Sequence, residues 1–151
     1  MPHKRNLPDL EPLLNTQQNQ LGIIVAAGDS IDNKALAILA ADIAALVFIG
    51  QSQIADADWQ WLHLLLLGPY LLSLIFTALA VQPKKYLGAS VELAEHPEYL
   101  SLSREVLVLQ LLADTKKAIT HNQRINSVHW RRALIAAAFT IIGTAILFAI
   151  L

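Results

Sequence analysis

Eleven lysines and arginines are spread along this chain, yet none interrupts any of its three long apolar stretches. The stretches cover residues 35–50, 61–82 and 133–151. Lys4, Arg5 and Lys34 precede the first. Lys84, Lys85, Arg104, Lys116, Lys117, Arg124, Arg131 and Arg132 all lie between the second and the third. The connection between the first two stretches has no cation and carries Asp56 and Asp58. Basic residues accumulate on the cytoplasmic side of membrane proteins. The pattern therefore predicts a multi-pass membrane protein, with residues 1–34 and 83–132 in the cytoplasm.

Lengths fit this reading. The first stretch rises roughly 24 Å as a helix, a little short of a hydrocarbon core of about 30 Å. Snorkelling by Lys34 and continuation through Ile54 make up the difference. In the second, Gly68-Pro69 removes a backbone donor, which kinks a membrane helix rather than ending it. The third contains no charged residue. Trp59 and Trp61 fall at the expected outer interface and Trp130 at the inner one. The first stretch follows a long polar lead, unlike a cleaved leader, so it is expected to be a retained span. Composition agrees: 55% of residues are hydrophobic and 15% charged, where a soluble domain carries about 25% charged residues. A net charge of −1 offers no broad basic field for nucleic acid, and the absence of cysteine excludes disulfides and thiol chemistry.

The cytoplasmic segments read as helices. Leu14, Leu21, Ile24, Gly28 and Ile31 recur at helical spacing in a lead helix expected to run into the first span. Pro83 through Gly88 signals a helix end. From Ser101 onward the pattern is helical again, with Ser101 or Ser103 as cap and Glu105 in the first turn. There Leu102, Val106, Leu109 and Ala113, broadened by Leu112, predict an apolar stripe facing the lead helix. The expected fold is all-α: a single membrane domain, residues 1–151, with three transmembrane helices and a two-helix cytoplasmic stalk.

Few residues carry chemistry. Asp42 lies midway along the first span, where an acid must face protein or water. It reads either as an ion- or proton-coupling residue or as a helix–helix bridge to Ser73, Thr77, Thr140, Thr144 or Tyr70, and the bridge is favoured. Small residues every four positions, Ala37, Ala41 and Ala45 with Ala136, Thr140 and Thr144, suggest close helix packing. Asn122 and Asn126, with Arg124 nearby, form either a polar ligand face or a register device between packed helices. His121 and His129 are eight residues apart, too far for a shared metal, and Glu92 with His96 reads as a solvated helix end beside Pro97. No nucleophile elbow or phosphate loop is present. Catalysis, metal and cofactor are not expected.

Asp32-Asn33-Lys34-Ala35 at the mouth of the first span resembles the Asp-x-Lys-Ala start of the transmembrane effectors of bacterial Pycsar (pyrimidine cyclic nucleotide) anti-phage systems. The order of features is similar over roughly residues 20–150. A second span runs to Pro83, and an acidic-aromatic insert follows from Glu92 to Tyr99. A long helix then leads from Leu107–Asp114 through Asn122 and Asn126 into a final span. The resemblance implies a homo-oligomeric effector that responds to a cyclic pyrimidine nucleotide during phage infection and impairs the inner membrane. The residues alone equally allow a non-catalytic scaffold or subunit, or a small ion-coupled protein using Asp42.

The orientation is testable directly. Ser52→Cys is expected to react with a membrane-impermeant thiol reagent in intact cells, and Ser103→Cys to stay unlabelled until the cells are opened. The opposite pattern would invert the topology.

Overall fold

In a computed structural model of the chain, which describes residues 7–51, 60–88, 99 and 101–150, three helices follow one another. They are α1 (Leu7–Gln51), α2 (Gln60–Ala80) and α3 (Arg104–Ile150), and no strand occurs among the described residues. His3, Lys4, Arg5, Ser52, Asp56, Asp58, Trp59 and the Glu92–His96 pair lie outside the described residues, as do the side chains of Trp61 and His63.

The lead segment and the first apolar stretch form one unbroken helix of 45 residues. It starts at Leu7, with Pro8 in the first turn, where a missing N–H goes unnoticed, and it continues past Pro12. Pro69 lies inside α2, and the helix continues past it. Ser103 immediately precedes α3 and its carbonyl accepts the Leu107 N–H at 2.9 Å, with Glu105 in the first turn beside the exposed backbone donors.

The described chain divides into two compact units, Met1–Gly28 with Lys84–Asn126 and Asp29–Pro83 with Ser127–Leu151. In both, the inward positions recur in steps of three and four residues, the spacing of packed helices in a coiled coil. In the first unit α1 turns inward Leu10, Leu14, Gln17, Leu21, Ile24 and Gly28, while α3 turns inward Val108, Leu112, Thr115, Ala118, Asn122 and Asn126. Leu10, Val108 and Leu112 form the apolar cluster, with Leu14 against it. The exposed pair Arg104–Glu11 links the same two helices.

In the second unit the inward positions are Ile31, Ala35, Ile38, Asp42, Ala45 and Ile49 on α1, and Leu66, Tyr70, Ser73, Thr77 and Ala80 on α2. On α3 they are His129, Ala133, Ala136, Thr140, Gly143 and Leu147. One apolar cluster joins Ile31, Ala35, Ala80 and Ala133, and a second joins Ile49, Leu66, Tyr70 and Leu147. These pairings run α1 and α3 parallel, with α2 antiparallel to both.

Two expected faces are corrected. Leu102, Val106, Leu109 and Ala113 are exposed, Leu109 by 50%, while Val108 and Leu112 are buried. Both stripes obey the same spacing, but the exposed one continues into Lys116 and Thr120. The buried one continues into Thr115, Ala118 and Asn122, and the polar groups of Thr115 and Asn122 find partners. On α1, Ala37 and Ala41 point outward and the inward positions are Ala35, Ile38 and Asp42; on α3, Ala136 is buried and Thr140 and Thr144 half-buried, as the small-residue spacing suggests.

The α1 and α3 helices are long and apolar enough to cross a membrane, and the described apolar part of α2, Leu65–Ala80, is shorter. Only 17% and 22% of the most apolar stretches of α1 and α3 is buried. The core helix of a soluble protein would be mostly covered.

The corrected stripe sets a stability contrast. Leu112→Ala is expected to cost about 2–3 kcal/mol and Leu109→Ala less than about 0.5 kcal/mol, read from denaturant unfolding of the detergent-solubilised protein. Equal losses would return Leu109 to the core.

Candidate functional site

Polar groups gather at two places, one in each unit. In the second unit Asp42 is fully buried. Ser73 Oγ donates to its Oδ2 at 2.6 Å, and Thr140 Oγ1 donates to its Oδ1 at 2.7 Å. The two hydroxyls are themselves 2.9 Å apart. One carboxyl from α1 is thus shared by a hydroxyl from α2 and a hydroxyl from α3. The three-and-four spacing puts it there, because Asp42, Ser73 and Thr140 each occupy an inward position. One turn away Tyr70 OH and Thr144 Oγ1 are 3.2 Å apart. The Tyr70 ring lies against α3 because residue 143 is glycine: a Cβ there would come within 2.9 Å of the ring. Thr77 is fully buried with no hydrogen-bond partner among the described residues. Of the five expected partners for Asp42, then, Ser73 and Thr140 are the ones that reach it.

The C-terminal end of α2 is also held from α3. His129 Nδ1 donates to the Ala80 carbonyl at 2.6 Å and Arg132 to the Leu79 carbonyl at 2.9 Å. The last carbonyls of a helix lack intrahelical donors, and a cation at that end also meets the negative pole of the helix dipole.

In the first unit the segment 84–88 lies along α3. Asn122 grips one residue twice: its Oδ1 accepts the Leu87 N–H at 2.9 Å and its Nδ2 donates to the Leu87 carbonyl at 3.0 Å. Asn126 Oδ1 accepts the Tyr86 hydroxyl at 2.5 Å, and its Nδ2 donates to the Ile24 carbonyl of α1 at 2.7 Å. His121 Nε2 lies 3.3 Å from the Lys85 carbonyl, and Lys84 Nζ donates to the Gly28 carbonyl at 2.9 Å. Gly28 makes room for this closure, since a Cβ at that position would overlap the Tyr86 hydroxyl at 1.8 Å. The amides of Asn122 and Asn126 are therefore occupied by the chain itself. They set register and fasten the 84–88 segment, and their ligand role is not what the geometry favours.

Arg124, the third residue of that expected face, points elsewhere. It lines a groove of about 480 Å³ on α3 with Ala113, Lys116, Lys117, Thr120 and His121. Three side chains there are cationic and none is acidic.

The Asp32-Asn33-Lys34-Ala35 segment does not converge on one point. Ala35 is fully buried in the cluster with Ile31, Ala80 and Ala133. Lys34 is exposed, and its ammonium lies 5.1 Å from the ring centre of Trp130, a cation–π contact. Asp32 is half-buried and engaged within the chain.

The segment 84–88 and its clasp on α3 escaped sequence reasoning. A hint exists, because Tyr86 and Leu87 follow a helix-ending proline and leave peptide groups that need partners. No pattern in one sequence says which asparagine meets which peptide. Among the described residues, no three His, Cys, Asp or Glu side chains converge as a metal site would require. Comparisons with protein-family models, curated proteins and solved structures return no match.

The bridge predicts a graded response at residue 42. Asp42→Asn keeps an oxygen acceptor of similar shape and is expected to retain the wild-type melting temperature in detergent. Asp42→Leu removes the acceptor that the Ser73 and Thr140 hydroxyls share and is expected to lose about 1–2 kcal/mol. An Asp42→Leu protein as stable as wild type would remove the bridge from the structure's energetics.

Proposed function

We propose that this protein is a non-catalytic membrane effector. In this reading three helices cross the inner membrane, with the N-terminus and residues 83–132 in the cytoplasm and several copies assembling in the bilayer. One observation carries the membrane part: the second unit buries polar side chains in its core while large apolar ones face outward. Its interior holds Asp42, Ser73, Thr77 and His129, while Ile43, Val47, Ile75, Ile141 and Phe148 face outward, the last two exposed by 68% and 74%. A water-soluble bundle would pay for that arrangement on both sides, in desolvated polar groups and in wetted apolar ones. Lipid reverses the second cost. Two long apolar helices support insertion, and α2, 21 residues in all, rises about 31 Å, enough for a third crossing.

The effector part rests on the resemblance of Asp32-Asn33-Lys34-Ala35 and of the order of segments to the membrane effectors of Pycsar systems. In this reading a cyclic pyrimidine nucleotide is the signal and impairment of the inner membrane is the output. The cationic groove of Lys116, Lys117, Thr120, His121 and Arg124 supplies charge and hydroxyl groups for its phosphate. Asn122 and Asn126, already bonded within the chain, do not.

A second reading, a scaffold or subunit of a larger complex, draws on those same occupied asparagines. They tie the 84–88 segment to α3 and α3 to α1 with the chain's own groups, which suits holding a partner as well as sensing a nucleotide.

Inducible expression separates the two. With cyclic CMP or cyclic UMP supplied, the effector reading expects loss of membrane potential and arrest of growth. Lys116→Gln/Lys117→Gln is expected to weaken that response about tenfold or more in nucleotide concentration, because each lost phosphate contact of this kind contributes about 1 kcal/mol or more. Unchanged potential at every nucleotide concentration would leave the scaffold reading.

A further inference from the structure

The second unit carries a feature that neither the Asp42 bridge nor the helix-end contacts use. A crevice of about 240 Å³ runs between α1 and α3, walled by Ala37, Ile38, Ala133, Leu134 and Ala137 and closed at one end by Lys34 and Trp130. Its origin is steric. Alanines at 37, 133 and 137 leave the facing helix surfaces bare, while Ile38 and Leu134 raise the sides. Ala37, Leu134 and Trp130 are exposed, so the crevice opens outward.

The charge at that end is positive. Lys34 is the one charged residue of the lining, and its ammonium sits over the Trp130 ring. Acidic residues nearby on α1 are Asp29 and Asp32. They lie roughly 140° and 160° around the helix from Lys34, away from the crevice mouth, and Asp32 is already engaged within the chain.

We propose that this crevice binds one acyl chain of an anionic phospholipid, with the lipid phosphate held by Lys34. The proposal rests on the membrane reading above. The walls are hydrocarbon and suit an extended chain lying parallel to the helices. That end offers an ammonium and an indole, the groups that meet phosphates and glycerol at an interface. Charge decides against the other natural occupant. A second copy meeting this face about a two-fold axis would bring Lys34 toward its own equivalent, and like charges held that close repel. An anionic lipid brings the complement.

Trp130 reports the occupant. In a Trp59→Phe/Trp61→Phe background it is the remaining tryptophan of three. This protein is reconstituted in phosphatidylcholine vesicles, and its fluorescence is titrated with phosphatidylglycerol or phosphatidylcholine carrying brominated acyl chains. Brominated phosphatidylglycerol is expected to quench at lower mole fraction. Lys34→Gln is expected to lower its relative association constant about fivefold, the value of one cation near a lipid surface. Ala137→Phe fills the crevice without touching a charge and is expected to abolish the preference, with helix content by circular dichroism unchanged in both variants. Equal quenching by the two lipids overturns the proposal, and so does a preference that survives both substitutions. Quenching by neither lipid places Trp130 outside the bilayer and overturns the membrane reading itself.

Discussion

Apolar side chains gain nothing by leaving lipid tails for the interior of a protein, so helices in a bilayer are arranged by polar contacts and close packing. Under the membrane reading, that constraint makes Asp42 the residue on which the second unit depends. An acid at that depth costs at least about 2.5–3.5 kcal/mol when it faces lipid. Turning it inward serves α1 only if the neighbours can satisfy both its oxygens. Ser73 and Thr140 do so, one from each of the other helices. Rotating any of the three helices by one residue swings its member of the trio about 100° away. A single set of contacts thereby selects one rotation for each helix.

The same logic extends along the inward face of α3 with different chemistry. Thr140 holds a carboxyl, His129 a helix-end carbonyl, and Asn126 and Asn122 the 84–88 segment together with α1. Each of these residues is less apolar than its inward position would normally be. Each trades some burial energy for a partner that fits one register alone, as polar core residues do in coiled coils. Alternatives with the wrong register leave a buried amide or hydroxyl unpaired, at about 1–3 kcal/mol each. Glycines at 28 and 143 remove the Cβ atoms that would keep Tyr86 and Tyr70 from these contacts.

Much of this was legible in the residues. The absence of Asp, Glu, Lys and Arg from 61–82 and 133–151, and the single Asp42 in 35–50, marked the apolar stretches. Leu14, Leu21, Ile24, Gly28 and Ile31 showed the inward face of α1, and Asp42 announced that it needed a partner. Helix existence depends on local periodicity and composition, which a sequence carries in full. The choice between two stripes on α3 does not. Leu102, Val106 and Leu109 are as apolar as Val108 and Leu112 and repeat at the same spacing. Only the pairing of Asn122, Asn126 and His129 with other segments, further along the helix, decides which stripe turns inward. Likewise, Asn122 and Asn126 had the residue types of a ligand face. That their amides close on Leu87, Tyr86 and Ile24 depends on contacts 35, 40 and 102 residues apart. Hydrogen-bond partners at such separations are matters of tertiary geometry, because no local preference of an asparagine distinguishes a distant peptide from a bound molecule.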